Sequence, residues 1–464
     1  MGILASHDIK IMPYNICPYE LEIVKEISNH AKVYFKALVP RGEQDKYIQI
    51  TESQTPIEIV HSDGTCLFKG IAINVKVKSV RDIFYVSVEG VSHTFNLDLK
   101  LKRRSFQNKD MKYTQLIDEV IKDYSGDYID VVAKGSTTDK FIIQYDESDW
   151  EFLKRMASHF NAGLVPDTYS DKPKFWFGTP EGAGKGELEK YHYSVSKKIG
   201  EYRRASENHN ENIDEKDFIY YKIETEDLLN IGDSISFQKK KLYIYKSVSK
   251  LKNGVLLHEY TATPENRLRQ DILYNEKVVG ASVEGEVIDI EEDNVRIHLE
   301  IDKDQKKDEA FWFPYSTFYT AEGETGWYCM PELEDQVKLY FPTNKEEEGI
   351  VLNSIRRRTK GGDFVTDPDV KIFRTKYGKE ILFAEDEIMI TGKDDEVLIR
   401  LIEDEGIEIY SKKDIAVKAD KGLKIESGKK IEMSAGSKIS IKCKDSVIEM
   451  DGITSIKGKQ VKTN

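Results

Sequence analysis

Apolar and polar positions repeat every eight residues near the C-terminal end of the sequence, from 407 to 462. Each block of eight has one apolar residue, a second apolar residue two positions later, and a small residue at the fifth position. The other positions are mostly Lys, Asp, Glu and Gly. The first apolar series is Ile407, Ile415, Leu423, Ile431, Ile439 and Val447. The second series is Ile409, Val417, Ile425, Met433 and Ile441.

The spacing within each block is that of a β-strand, because alternate side chains of a strand point to opposite faces. Each octad is therefore predicted to be a very short strand followed by a turn, with Gly422 and Gly436 among the turn residues. Such short strands bury their apolar residues only by stacking on other copies of the repeat. Two architectures satisfy this requirement: a single-chain β-helix with three octads per coil, and three chains that each form one side of a triangular prism. The small fifth residue favours the intertwined trimer, whose predicted core is the two apolar series.

The first 100 residues alternate in the strand period, and we predict that they form a compact β-barrel. From Tyr113 to Ile121 the period becomes helical, with Thr114 available as the N-cap. A second helix is predicted to start after Ser148 or Asp149 and to end at Gly163.

Polar and glycine-rich residues fill the stretch 180–215, which is predicted to be an exposed loop. Its segment 182–186 superficially resembles a phosphate-binding loop, but Gly186 stands where Ser or Thr would bind magnesium. Strands are predicted to resume at 231–237, 242–247 and 254–263, which gives a second barrel.

Five or six short strands are predicted between 283 and 352, the number expected for an OB-fold. They include one at 311–315 and one at 327–329. The segment 356–362 is predicted to be a linker. The predicted domains are therefore a hub-like region at 1–275 with a helical insert at about 105–165, an OB domain at 276–357, and a linker with needle at 358–464. The predicted class is mainly β.

Composition narrows the possible functions. A net charge of −13 disfavours general nucleic-acid binding. No apolar run is long enough to span a membrane, and the first residues, MGILASHDIKIMPY, lack the layout of a signal peptide. The cysteines form no motif, so we expect small buried residues or free thiols. They are Cys17, Cys66, Cys329 and Cys443.

Four stretches resemble the valine-glycine repeat (VgrG) spike proteins of contractile injection systems and the related hub and spike proteins of phage tails. The stretch 104–107, RSFQ, is similar to a family motif that precedes a helix. The stretch 144–155 resembles the signature Q-Y-x-E-S-D-x-x-F-L-x-R. The stretch 331–337 resembles P-E-x-G-D-Q-V, with Glu334 where Gly is usual. The octads resemble the family's needle. The matched signature residues are Arg104, Ser105, Phe106, Gln107, Gln144, Tyr145, Glu147, Ser148, Asp149, Phe152, Leu153, Arg155, Pro331, Glu332 and Asp335.

The resemblance implies a homotrimer whose two-barrel hub binds an inner-tube protein and baseplate components. Its needle would carry a PAAR-like tip protein and effector proteins toward a target cell envelope. It also implies assembly in the bacterial cytoplasm and delivery outside the cell or into the target cell on contraction. The signature residues would be architectural.

Catalytic motifs are absent from the sequence: it has no His-Glu-x-x-His, Cys-x-x-Cys or Gly-x-Ser-x-Gly. The last histidine is His298, which excludes a His-x-His metal site at the needle apex. We therefore predict a non-enzymatic puncturing spike without cofactor or metal. One alternative is the baseplate hub and spike of a phage or phage-tail-like particle. A less favoured alternative is an envelope-degrading enzyme with its site in 160–215.

Overall fold

A computed structural model of the chain describes residues 5–188, 191–208, 213–318, 326–355, 367–393, 396–460 and 462. Two compact units make up the chain, Met1–Arg357 and Arg358–Asn464. Most of the described residues of both units that lie in regular structure are in strands, which confirms the predicted mainly β class. The predicted linker at 356–362 lies outside the described residues.

The first unit begins with six strands and one short helix, which enclose a core of alternating inward side chains such as Val33, Phe35 and Ala37. These elements are β1 (Ile9–Met12), β2 (Glu20–Glu26), β3 (Lys32–Val39), α1 (Gln44–Gln49), β4 (Pro56–His61), β5 (Cys66–Val80) and β6 (Ile83–Val91).

The predicted helical insert follows, with its own apolar core between two helices and short strands. Its elements are β7 (Leu101–Phe106), α2 (Tyr113–Ile121), β8 (Asp127–Asp130), β9 (Ile142–Ser148), α3 (Asp149–Ser158), β10 (Leu164–Pro166) and β11 (Lys174–Phe177).

Helix α2 begins, and helix α3 ends, at a different residue from the one predicted. The N-cap of α2 is Lys112, whose N–H is bonded by the Gln115 side chain, so Thr114 is not the cap. Helix α3 ends at Ser158 rather than at Gly163, and the residue with positive φ that follows it is Asn161 (φ 52°). Gly163 instead lies where a Cβ would be 2.2 Å from the Ser28 Oγ, so close approach explains the glycine.

The next stretch is more ordered than predicted, because 180–215 contains two strands and a helix rather than a loop. Residues 189, 190 and 209–212 of it lie outside the described part. The elements here are β12 (Gly184–Glu187), β13 (His192–Lys197), α4 (Ile199–Asn208), β14 (Ile219–Thr225), β15 (Ser234–Phe237), β16 (Lys240–Lys252) and β17 (Val255–Thr263).

One continuous sheet joins the two strand groups, in the order β1-β4-β5-β6-β3-β2-β16-β17-β14-β13, with β15 also paired to β16. Each half surrounds its own apolar core. The order β4-β5-β6-β3-β2 of the first half recurs as β15-β16-β17-β14-β13 in the second. The two halves are therefore repeats of one topology.

The OB domain is a five-stranded sheet in the order β20-β19-β18-β21-β22. A parallel bridge between Tyr315 and Val351 joins its two outer strands and closes it into a barrel. No strand forms at 327–329, in contrast to the prediction. The strands are β18 (Ser282–Glu291), β19 (Asn294–Leu299), β20 (Trp312–Pro314), β21 (Gln336–Tyr340) and β22 (Ile350–Ile355).

The second unit consists of two antiparallel meanders, and the described stretch 412–438 between them has no strand. Octads in that stretch are therefore not strands in the single chain, in contrast to the prediction. The strands are β23 (Lys371–Arg374), β24 (Glu380–Phe383), β25 (Glu387–Lys393), β26 (Val397–Ile402), β27 (Gly406–Ser411), β28 (Ile439–Cys443), β29 (Ser446–Met450) and β30 (Thr454–Lys457).

The four cysteines are free thiols, and none of them is fully buried. Within the described ranges, no helix is long and apolar enough to cross a membrane.

Candidate functional site

Helix α3 is held at its start by a capping box. Ser148 is the N-cap, and its Oγ accepts a hydrogen bond from the Glu151 N–H (3.1 Å) while the Glu151 carboxylate accepts one from the Ser148 N–H (3.3 Å). The Ser148 hydroxyl also donates to Asp98. The E-S-D part of the signature thus fixes where the helix begins.

Asp149, the first residue of α3, is fully buried and lies at the centre of a charged network. Its carboxylate pairs with the Arg104 guanidinium (2.5 Å) and the Lys102 ammonium (2.7 Å) and accepts a hydrogen bond from the Tyr124 hydroxyl (2.6 Å). Gln144 accepts from Arg104 Nε (2.7 Å) and donates to Asp149 (3.0 Å). Two signature stretches about 40 residues apart in sequence are thereby joined.

A second buried cluster contains one arginine and two carboxylates. Arg155 forms a two-pronged contact with Glu147, with Nε–Oε1 at 2.9 Å and Nη2–Oε2 at 2.7 Å. Its Nη1 lies 2.6 Å from Oε1 of Glu346, which belongs to the OB domain, in a close ion pair without hydrogen-bond alignment. The other Glu346 oxygen accepts the N–H of Ile143 (2.9 Å). We call Arg155, Glu147 and Glu346 the buried clamp.

Burial has the largest effect on the ionisation of Glu346 in the clamp. It raises the pKa of Glu346 to about 7, against the opposing effect of the Arg155 charge. Since one guanidinium faces two carboxylates, the cluster carries no excess negative charge only while Glu346 is protonated.

The R-S-F-Q stretch also binds the OB domain. The Asp302 carboxylate accepts hydrogen bonds from the Ser105 N–H (2.7 Å) and hydroxyl (2.5 Å). Gln107 donates to the Ile297 carbonyl and accepts from the Phe311 N–H, both at 3.1 Å. Phe106, by contrast, stacks on Phe152 within the insert core (5.7 Å between ring centres).

Tyr145 and Leu153 complete this arrangement. The Tyr145 carbonyl accepts a hydrogen bond from Asn275 (2.8 Å), and Leu153 is fully buried in the insert core. The structure therefore brings the signature residues of 104–107 and 144–155 together between the insert and the OB barrel. Their partners Asp302 and Glu346 were not singled out from the sequence, because isolated acidic residues in a charged loop carry no distinguishing pattern.

The stretch 331–337 forms the turn into β21. Pro331 is buried, and the Asp335 carboxylate accepts the Glu332 N–H (2.8 Å). Glu334 donates its N–H to the Val287 carbonyl (2.9 Å) and has φ +72°. This left-handed backbone favours glycine, which explains why the resemblance has Gly at the position.

Two hydroxyl–histidine pairs in the first unit are not accessible nucleophiles. Thr94 contacts His30 (2.8 Å), which contacts Asp98 (3.3 Å), but Thr94 is fully buried. Ser249 contacts His258 (2.7 Å), and both are buried; burial lowers the pKa of His258 to about 4.

Two clefts, of about 600 and 420 Å3, border the 160–215 segment, and neither is lined by a histidine or cysteine among the described residues. In the smaller cleft the Asp233 carboxylate is engaged by the backbone N–H groups of Ala183 and Asn230, both at 2.8 Å. In the part of the chain that the structure describes, no three His, Cys, Asp or Glu side chains form a metal cluster.

The predicted needle-core residues lie in the second unit, where most of them are exposed. Ile407, for example, is 71% exposed and Met433 is 68% exposed. Val447 differs from the others: it faces Lys442 and Lys457, on the side opposite Ile439 and Ile441. Ile448 and Met450 take its place beside those two isoleucines.

The first meander of this unit has an uncovered apolar face, of which the sequence predicted only Ile407 and Ile409. One cross-strand row runs through all five strands, and a second row lies beside it on the same face. The first row is Phe373, Ile381, Ile390, Ile399 and Ile409. The second is Phe383, Ile388, Leu401 and Ile407. We call these nine residues the apolar face; each is 38–71% exposed. The signal that could have revealed them was the density of aliphatic and aromatic residues in the short segments 372–373, 381–383, 388–390 and 397–402.

Comparison with known proteins finds one family model that matches the OB domain. Residues 283–355 match the type VI secretion system/phage-baseplate injector OB domain. No curated protein sequence matches the chain.

Solved structures extend the likeness to most of the chain. The E. coli c3393 protein, described as a type VI secretion component similar to the T4 tail proteins gp27 and gp5, has 14% identity and a TM-score of 0.54. The match covers 75% of this chain and 100% of that one. The Francisella PdpA–VgrG complex, half-lidded, has 11% identity and a TM-score of 0.54 over 86% of this chain and 87% of that one. At these identities the likeness concerns the fold. The predicted resemblance to injection-system and phage-tail spike proteins is confirmed.

Proposed function

We propose that this chain is the hub and spike of a bacterial contractile injection apparatus, and that it acts as a non-enzymatic homotrimer. The single observation that carries the proposal is the apolar face. A five-stranded sheet with nine uncovered aliphatic and aromatic side chains on one face is not a stable end state in water. Full burial of nine half-exposed side chains is worth roughly 10 kcal/mol per chain as an upper bound.

Two further copies of the same chain are the occupants that best fit this face. Ile407 and Ile409 belong both to the apolar face and to the first octad, so the face continues into the octad core. The other face carries two ion pairs, Arg400 with Glu387 (2.6 Å) and Arg374 with Glu380 (2.8 Å), among half-buried apolar side chains such as Met389. A triangular prism of three such sheets would bury the apolar faces and leave the ion pairs in solvent.

The strand directions favour this prism over a single-chain β-helix. All strand pairs of both meanders are antiparallel, whereas coils of a β-helix stack their strands in parallel. In the second meander one strand corresponds to one octad, and each chain supplies a continuous side of the prism. The uncovered segment 412–438 would then acquire its partners only in the trimer.

The proposed role follows from this assembly and from the OB-domain match. The hub would bind the inner-tube protein and baseplate components, and the needle would carry a PAAR-like tip and effector proteins to the target envelope. The particle would assemble in the cytoplasm and leave on contraction. A baseplate hub and spike of a phage or phage-tail-like particle is the second candidate, since the matched OB family includes phage baseplates.

A pair of neighbouring substitutions tests the proposal. Ile409→Asp places a charge on the apolar face, and Tyr410→Asp places one on the opposite face of the same strand. Light scattering of the wild type should give three times 53.4 kDa. Ile409→Asp should reduce the mass to that of one chain, and Tyr410→Asp should leave it unchanged. A wild-type monomer, or equal behaviour of the two variants, would contradict the trimer.

A further inference from the structure

The smaller of the two clefts described above lies where three parts of the first unit meet. Its volume is about 420 Å3, and its walls come from the end of β2, from β10 and β11 with the residues that follow them, and from the turn 230–233 before β15. Ligand pockets of proteins have volumes of about 300–1,000 Å3. The cleft is therefore large enough for a small organic molecule or for the end of a peptide.

Part of the cleft is lined by apolar side chains. Val165 and Ile231 are buried, and both belong to the apolar core of the second half of the large sheet. Trp176 lies directly opposite Val165 in the β10–β11 pair, so the two side chains are on the same face. Trp176 packs against the same core and is half-buried. This part of the cleft offers contact to an aromatic or branched aliphatic group.

Tyr169 forms a further part of the wall, and hydrogen bonds hold it at both ends. Its N–H donates to the Asp167 carboxylate (2.8 Å). Its hydroxyl accepts from the Lys25 ammonium (3.3 Å) and donates to Oδ1 of Asn230 (3.1 Å). The Lys25 ammonium also lies 4.7 Å from the centre of the Tyr169 ring. The wall is therefore in place before a ligand arrives, which lowers the entropic cost of binding.

Lys25 is the charged side chain of the cleft whose charge is not balanced. The carboxylates of the lining each have a lysine nearby, in the pairs Glu26–Lys246 (2.9 Å), Asp167–Lys174 (3.8 Å) and Asp233–Lys185 (3.8 Å). Within the described part of the chain Lys25 forms no ion pair, and its contacts are with the neutral Tyr169. An ammonium has more than one N–H donor, and the Tyr169 hydroxyl accepts only one. A half-buried cation beside an apolar wall favours an anionic partner.

We propose that the smaller cleft binds a carboxylate that carries an aromatic or branched aliphatic group. The carboxylate contacts the Lys25 ammonium, and the apolar group packs against Trp176, Val165 and Ile231. A single lysine in a largely apolar lining suits a carboxylate better than a phosphate, which proteins hold with several donors. Two sources have this chemistry: a free organic acid and the C-terminal residue of another protein.

Binding at this place would join separate parts of the chain. The ligand contacts β2, the insert and the turn before β15, so it stabilises their packing against one another. A ligand that binds only the folded state raises the free energy of unfolding in proportion to the logarithm of its concentration. The site lies within one chain, so the inference goes beyond the proposed spike and does not depend on the trimer.

Phenylacetate is the probe, because it has the carboxylate and the aromatic group and little else. Its binding to the full-length protein is measured by saturation-transfer NMR, with phenylacetamide and acetate as matched controls. Phenylacetamide should bind roughly tenfold more weakly, since it lacks the charge that Lys25 contacts. Acetate should bind more weakly than phenylacetate too, because it lacks the ring.

A pair of lysine substitutions locates the site. Lys25→Met should weaken phenylacetate binding roughly tenfold and leave phenylacetamide binding unchanged. Lys32→Met is the control, since Lys32 is an exposed lysine at the start of the neighbouring strand β3 and does not line the cleft. It should leave both affinities unchanged. If Lys25→Met does not fold, the comparison of phenylacetate with phenylacetamide on the wild type decides.

The outcomes are distinct. No binding of phenylacetate at about 10 mM, the weakest affinity expected for a ligand of this size, would overturn the proposal. Equal affinities for phenylacetate and phenylacetamide, or equal behaviour of the two lysine variants, would overturn it as well. The peptide acetyl-Gly-Gly-Phe separates the two sources: tighter binding than phenylacetate assigns the cleft to a protein C-terminus, and weaker binding assigns it to a free acid.

Discussion

The two units of this chain differ in how their charged and apolar side chains are covered. The first unit satisfies its charged and apolar groups internally: Asp149 and Arg155 are almost fully buried and each has its partners in the same chain. The second unit leaves the apolar face and most of the octad core residues exposed. A charge that is buried without a partner strongly destabilises the folded chain, so its partner has to be in place when the chain folds. An apolar face that is exposed in the single chain can be covered later, when another copy binds. If the proposed trimer forms, the first unit folds alone and the second completes its folding on assembly.

The largest expected effect is loss of the trimer from a single charge in the octad core. Ile431→Asp should prevent trimer formation, because a carboxylate at a shared apolar axis would be buried without a partner. The first unit should remain folded, since none of its internal contacts involves this residue. Light scattering combined with limited proteolysis checks both parts. The neighbouring exposed Glu432→Gln is the control and should keep the trimeric mass. Loss of the folded first unit in Ile431→Asp would show that the hub does not fold alone.

The next effect concerns the buried clamp. Arg155→Ala should lower the free energy of unfolding of the first unit by about 3–5 kcal/mol, because two carboxylates remain buried without their cation. Arg103→Ala is the matched control: its contact with Asp146 (2.8 Å) is half-exposed and should contribute less than about 1 kcal/mol. Urea denaturation followed by tryptophan fluorescence measures both. Equal losses in the two variants would mean that the clamp does not hold the insert to the OB barrel.

A pH dependence should distinguish the clamp from ordinary surface pairs. The folded-state pKa of Glu346, about 7, lies above its ordinary value of 4.5, so the folded state holds the proton more tightly than the unfolded state. Stability from this group is therefore fully present below about pH 4.5 and declines as the pH rises to about 7. Glu346→Gln, which is neutral throughout, should flatten this decline in urea midpoints measured from pH 5 to pH 8. Glu348→Gln, at an exposed neighbouring carboxylate, should not. An unchanged slope in Glu346→Gln would place the titrating group elsewhere.

Much of the architecture was predictable because the spacing of apolar residues over short stretches determines the strands and helices. The alternation of 32–39, the helical spacing of 113–121 and the Ser148 cap each depend on neighbours in sequence, and the structure has them. The internal repeat of the large sheet was not predicted, since its two halves share bulge and turn positions rather than residue types: Arg81-Asp82 and Asn253-Gly254 make the same turn. The 180–215 stretch was misjudged because its polar composition resembles a loop, although β13 pairs through its backbone over its whole length.

Only the signature residues of the candidate site were predictable from the sequence, and their partners in the OB domain were not. The signature residues form a recognisable string, but their partners Asp302 and Glu346 lie some 200 positions away and are single acidic residues among many. The strand phase at Val447 was missed for a local reason: Cys443 pairs with Ser446 across a two-residue turn, which shifts the apolar series by one residue to Ile448. A one-residue slip of this kind moves every side chain to the other face.

The smallest effect comes from the turn that begins β21, where the chain departs from the pattern it resembles. Glu334 is exposed and has φ +72°, a conformation that costs an L-residue with a side chain about 1 kcal/mol relative to glycine. Glu334→Gly should therefore raise the stability of the first unit by up to about 1 kcal/mol, reduced by the greater freedom of glycine in the unfolded chain. Glu334→Ala removes the same carboxylate but keeps the strained backbone, so it should give no gain. Urea midpoints of the three proteins compare them directly, and the trimeric mass should be the same in all three because the turn is satisfied within one chain. A gain in Glu334→Ala equal to that in Glu334→Gly would assign the effect to the lost charge rather than to the backbone.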